Sequence, residues 1–198
     1  MVEATTAPAA LRRIDVELVV NGETRPLVIE PRETLAEVLR DRLGLTGAKV
    51  SCDAQVCGAC TVLVDALPVS GCTFLAVDAD GRRVRTVEGL ATDGQLNPLQ
   101  QAFIDHAAFQ CGFCTPGMLM AATALLEPVP QPTREQVVHG LEGNICRCTG
   151  YDPIIEAVLQ AAGAETSAGS ADGAPAVRPT REAGDVLDPG AEPVEAQQ

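Results

Sequence analysis

Hydrophobic and polar positions change period once along this chain, near residue 89. Before it, the pattern is that of short strands. Residues 14–20 alternate in part and are β-branched, Asn21-Gly22 is a strong hairpin signal, and residues 24–29 predict the returning strand. Thr34-Leu-Ala-Glu37 has the form of a capping box; it opens a helix with Leu35, Val38, Leu39 and Leu43 on one face and Gly44 as its stop. Residues 61–64 and 67–70 predict a second hairpin around Asp65-Ala66, and residues 73–77 and 83–87 two further strands. This half reads as a small α+β domain in which a mixed sheet grips one helix.

After residue 89 the apolar spacing becomes helical. Asn97-Pro98 predicts a cap followed by Pro at the first helical position, with Leu99, Ala102, Phe103 and Ala107 on one side. Thr115-Pro116 repeats that signal and leads into residues 118–126, apolar nearly all round and therefore buried. Thr133-Arg-Glu-Gln136 is another capping box, and Asp152-Pro153 predicts a last helix that Gly163 stops. The expected organisation is a loose arm over 1–13, an α+β domain over 14–90, a four-helix bundle over 91–162, and an acidic tail over 163–198. That tail is rich in Ala, Gly, Pro, Glu and Asp, has no aromatic residue, and is expected to be disordered.

Composition narrows the partners. The chain has 198 residues, a net charge of -13 and only 3% aromatic residues without Trp, so its core is aliphatic. The charge argues against nucleic acid and against anionic membrane surfaces, both of which call for a basic face. Residues 1–11 have no apolar core segment, Arg12-Arg13 is followed by Asp15 and Glu17, and no stretch suits a membrane span. A cytoplasmic protein is expected, in which eight cysteines point to metal rather than disulfides.

The cysteines fall into two sets. Cys52, Cys57 and Cys60 have the C-x4-C-x2-C spacing of a plant-type 2Fe–2S loop, with Cys72 as a candidate fourth ligand; zinc, disulfides or inert core cysteines are the lesser readings. A loop that curls round an iron–sulfur rhomb needs backbone amides aimed at sulfur, and Gly58 permits close approach. Cys111-Gly-Phe-Cys114 and Cys146-Arg-Cys148 form the second set, each just ahead of a predicted helix start whose positive dipole end favours an anionic cluster. On residues alone that second spacing also suits zinc.

Residues 51–62, 110–117 and 143–151 (SCDAQVCGACTV, QCGFCTPG and GNICRCTGY) resemble the iron–sulfur subunit of molybdenum hydroxylases, the enzymes of the xanthine dehydrogenase, aldehyde oxidoreductase and aerobic carbon monoxide dehydrogenase type. The resemblance spans residues 14–162 and places all eight cysteines. It implies a plant-ferredoxin-like (β-grasp) domain and a four-helix domain, each holding one 2Fe–2S cluster. It also implies a molybdopterin-binding large subunit and an FAD-binding medium subunit, assembled as a dimer of heterotrimers, with electrons passing from the molybdenum–pterin centre through both clusters to FAD. Gln110 and Cys148 are expected to approach the pterin. Many members have Gly where Gln55 stands, and the Asp-Ala-Gln-Val interior is closer to the carbon monoxide dehydrogenase-like branch.

Other residues carry bland readings beside functional ones. Gln110 also suits a polar loop. Arg147 either stabilises a reduced cluster or makes a surface ion pair. His106 and His139 read as ordinary helix histidines, since a Rieske-type site would need two as ligands. No nucleophile–base pair, phosphate loop or paired carboxylates occur, so no catalytic residue is expected in the chain itself. A free-standing two-cluster ferredoxin and a zinc-stabilised adaptor are the competing functions.

Overall fold

The computed structural model describes residues 13–164. The arm over 1–13 and the tail over 163–198 therefore lie, but for their innermost residues, outside the described residues. The first half is a five-stranded mixed sheet of β1 (Ile14–Val20), β2 (Glu23–Ile29), β3 (Thr61–Val64), β4 (Leu67–Ser70) and β5 (Arg83–Arg85), in the order β2-β1-β5-β3-β4. β1 pairs antiparallel with β2 and parallel with β5, while β3 pairs antiparallel with both β4 and β5. Both predicted hairpins form: Asn21 and Gly22 at one turn, and Asp65 and Ala66 at the other, all have positive φ. This double left-handed turn follows the natural twist of a two-residue hairpin.

The helix α1 (Leu35–Glu37) begins at the predicted capping box, with Thr34 and Glu37 each satisfying the other's backbone amide. It continues not as regular α-helix but as a wide π turn over Val38–Arg42, closed by Leu43 N–H donating to Val38 O. The carbonyls of Gly71 and Phe74, on either side of Cys72, accept the amides of Ala36 and Leu35 at 2.9 and 2.7 Å. That pairing explains why residues 73–77 are not the expected strand. The segment is committed to the start of α1, makes a single bridge from Leu75 to Thr34, and turns into a 3-10 helix over Ala76–Ala79. The strand expected over 83–87 stops at Arg85 because the side chain of Asn21 takes the Thr86 amide at 2.9 Å, and a 3-10 turn follows over Val87–Gly89.

The second half contains α2 (Pro98–Asp105), α3 (Thr115–Leu126), α4 (Arg134–Leu141) and α5 (Asp152–Ala164). Capping boxes open α2 at Asn97, where the sequence predicts a cap, and α4 at Thr133, where it predicts the box. Ala107 falls beyond α2, at a φ of 48°. Thr115 is not the cap of α3: Cys114 holds that position without a side-chain bond, and Thr115 is the first helical residue. Asp152 lies inside α5, where its carboxylate meets Arg134 at 2.6 Å, and α5 runs past Gly163 to the last described residue. Among the described residues no helix is long and apolar enough to cross a membrane.

Two hydrophobic cores meet at one strand. β3 is buried on both faces: Val62 and Val64 join Leu18, Ile29, Leu35 and Leu39 under the sheet, while Leu63 joins Met118, Met120, Phe103 and Ile154 among the helices. Strand periodicity places successive side chains on opposite faces, so four residues serve as the common wall.

Candidate metal centres

All eight cysteines are free thiols, and they stand in two groups of four. In the first, the loop between α1 and β3 curls through left-handed backbone at Asp53, Gln55 and Gly58. The curl turns the amides of Val56 and Cys57 onto Cys52 Sγ, both at 3.4 Å. Those donors, with a third from Ala54, pull the Cys52 thiol down to about 6. Cys60 lies deeper. Burial, together with its neighbour Cys72, pushes its thiol up to about 11.

The second group shows the same contrast. Burial pushes Cys114 up to about 12, and the adjacent Cys146 thiol adds to the effect. Burial also acts on Cys146, but the Thr149 hydroxyl at 3.1 Å and the Thr149 amide at 3.4 Å outweigh it and lower that thiol. Tyr151 braces the same cysteine, its hydroxyl accepting the Cys146 amide at 3.0 Å. Tyr151 does so from a φ of 71°, a conformation costing an aromatic residue about 1–2 kcal/mol. Cys111 and Cys148 are exposed, with Sγ atoms 3.6 Å apart, and the contact raises Cys148.

The thiols thus meet as pairs: Cys52 with Cys57, Cys60 with Cys72, Cys111 with Cys148, and Cys114 with Cys146. Among the described residues no three Cys, His, Asp or Glu side chains converge as a one-ion site would require. A two-iron rhomb takes two protein thiolates per iron, and pairs are what each group offers. A further sign of fit is Thr115 Oγ1, next to Cys114. Among the described residues it is the one buried side-chain polar atom without a partner. Such an orphan costs about 1–3 kcal/mol unless an acceptor reaches it, and sulfur held at Cys114 would be one. The two groups of thiols therefore fit iron–sulfur rhombs.

The two cysteine-bearing segments touch. The Ile145 amide donates to Cys57 O at 2.9 Å, and the buried Asn144 donates its side-chain amide to Gly58 O at 2.8 Å and to Thr61 Oγ1 at 3.2 Å. A Cβ on Gly58 would stand 2.3 Å from Gly143 O, and one on Gly117 would stand 2.3 Å from Gly58 O, so glycine is required at both positions. Asn144, Gly117, Thr149 and Tyr151 all lie within or beside the quoted motifs, yet their roles escaped sequence reasoning because their partners are set by the fold.

Of the remaining expectations, Gln110 is exposed beside Cys111. Arg147 is exposed. His106 bonds to Gln160, and His139 faces Glu142 at 3.1 Å; neither joins a cysteine group.

Residues 18–88 match the family described as the 2Fe-2S iron-sulfur cluster binding domain, and residues 86–159 the 2Fe-2S binding domain. The chain is 53% identical over 158 residues to the nicotine 6-hydroxylase small subunit of Paenarthrobacter nicotinovorans, covering 80% of this chain and 95% of that one. It belongs to the iron–sulfur subunits of the molybdenum hydroxylases. This iron–sulfur subunit is also 46% identical over 148 residues to the xanthine dehydrogenase iron-sulfur-binding subunit of Escherichia coli O157:H7, covering 74% of this chain and 92% of that one. Among solved structures it resembles quinoline 2-oxidoreductase from Pseudomonas putida 86, with a TM-score of 0.75 and 46% identity over 78% of this chain and 95% of that chain. Such relatives make it a component of an oxidoreductase.

Proposed function

We propose that this subunit relays electrons within a molybdenum hydroxylase, from a molybdopterin centre on a large subunit, through two 2Fe–2S clusters, to FAD on a medium subunit. Cys52, Cys57, Cys60 and Cys72 hold one cluster in a ferredoxin-like domain over 14–90. Cys111, Cys114, Cys146 and Cys148 hold the other in a four-helix bundle over 91–162. Each cluster supplies one-electron redox chemistry when bound. The chain's own residues supply thiolates in pairs, amide donors aimed at Cys52 and Cys146, and a fixed separation between the two sites. The observation that carries this reading is the Ile145–Cys57 hydrogen bond, which joins a residue next to one thiol set directly to a thiol-bearing residue of the other.

Gln110 and Cys148, exposed on the helical half, face the pterin side in this reading. Exposed Val56, Phe109, Phe113 and Ile145 flank cysteines in both groups. Apolar surface beside redox sites favours a docked subunit over a ferredoxin that diffuses alone. The family descriptions favour iron–sulfur over the zinc adaptor. The assembly is a cytoplasmic dimer of heterotrimers. The names nicotine 6-hydroxylase, nicotinate dehydrogenase and quinoline 2-oxidoreductase among the relatives support an N-heteroaromatic substrate, bound on the partner chain.

The test is metal content and electron paramagnetic resonance (EPR) of the purified complex. About four iron and four acid-labile sulfide per copy of this chain, with two distinct cluster signals on reduction, are expected. Stoichiometric zinc with half that iron would refute the second cluster.

A further inference from the structure

We propose that Gln55 is a positioning residue for the first metal centre: its side chain latches the 51–60 loop to the turn bearing Cys72 through the hydroxyl of Thr73. This rests on the reading of Cys52, Cys57, Cys60 and Cys72 as one cluster site. Their thiols come from two stretches of chain. On the buried side these are joined by backbone, Gly71 N–H donating to Cys60 O at 3.2 Å. On the exposed side the link is Thr73 Oγ1 donating to Gln55 Oε1 at 3.0 Å.

The backbone at this point shows what the side chain is for. Gln55 sits at a φ of 58°, a conformation that glycine adopts freely and a residue with a Cβ resists. A glutamine placed there gives up backbone ease, and the hydrogen bond to Thr73 is what it gains. The latch also closes next to the second half of the molecule. Gln55 and Thr73 both line a cleft of about 570 Å³ that Gly143 and Asn144 also line. With the latch closed, the turn that bears Cys72 is held against the loop that carries the other three thiols.

Removal of either partner is chemically clean. Gln55→Ala keeps the Cβ and its backbone strain while removing the amide, and the Thr73 hydroxyl retains a second acceptor, Ser70 O at 3.3 Å, so no buried group is orphaned. The experiment follows loss of each cluster from the purified full chain to bathophenanthroline under reducing conditions, with the two clusters distinguished by EPR. Gln55→Ala and Thr73→Val should each speed loss of the ferredoxin-side cluster about fivefold, as expected for one net hydrogen bond. The double variant should be no faster than either alone, Thr73→Ser should behave as wild type, and the helical-side cluster should be unaffected throughout. Unchanged rates in the single variants, or effects that multiply in the double variant, would overturn the latch while leaving the two-cluster reading intact. A wild-type chain without iron at this site would overturn both.

Discussion

Asn144 shows how much one buried polar side chain does in this subunit. Its amide hydrogens reach Gly58 O and Thr61 Oγ1 across the junction of the two halves, and it is 6% exposed. Gly58 O is already met by the Thr61 amide and hydroxyl, at 3.1 and 2.7 Å. Asn144→Ala should therefore cost only one net hydrogen bond and a small cavity, about 1–2 kcal/mol. Asn144→Asp is the sharper test. It sets a carboxylate against a carbonyl with no donor between them in a buried site, and should cost about 3 kcal/mol or more. Thermal unfolding of the two variants should give that order, with iron lost from both thiol groups together. Loss confined to one group would show that Asn144 is not the common brace.

At the scale of the element, α3 is placed by its lack of side chain at one position. Gly117, in the first turn, lies against Gly58 O and Ala59 Cα, so the start of the helix rests on the first cysteine loop. The rest of α3 is apolar on nearly every side because β3, α4 and α2 surround it. Gly117→Ala would place a methyl 2.3 Å from a backbone carbonyl that has no rotamer to yield. An overpacking cost of about 3 kcal/mol or more is expected, although alanine is the better helix former. Chemical denaturation should show a lower midpoint for Gly117→Ala, whereas Gly163→Ala, whose added Cβ meets nothing within 4 Å among the described residues, should be neutral or stabilising. Equal midpoints for the two variants would mean that α3 can tilt away from the loop without penalty.

At the scale of the whole molecule, the two thiol groups should be separable by mutation even though their surroundings are not. Cys57→Ala removes one member of the Cys52–Cys57 pair, and Cys114→Ala one member of the Cys114–Cys146 pair. In complexes verified to assemble, each variant should lose one EPR signal and about half the iron. After substrate is added, the Cys57→Ala complex should keep a reducible helical-side signal while its flavin stays oxidised. The Cys114→Ala complex should leave the ferredoxin-side signal unreduced. Normal flavin reduction in Cys57→Ala would show that the ferredoxin-side site is off the route.

The local features of this protein were legible along the chain. Hairpin turns at Asn21-Gly22 and Asp65-Ala66, capping boxes at Thr34, Asn97 and Thr133, and the cysteine spacings all depend on neighbours within a few residues, so short-range chemistry determined them. Where a distant partner competed, the local signal lost. Residues 73–77 had strand-like composition, but their carbonyls went to the amides at the start of α1. The strand through Arg85 ended where Asn21, 65 residues away, took the next amide. Thr115 looked like a cap, but the chain enters α3 through Cys114 and leaves that hydroxyl buried without a partner. Only the tertiary structure could decide that Leu63 packs with the helices, that Asn144 meets Gly58 across 86 residues, and that the thiols divide into pairs. Those contacts follow from how two cores share β3, a long-range arrangement that no periodicity within either half encodes.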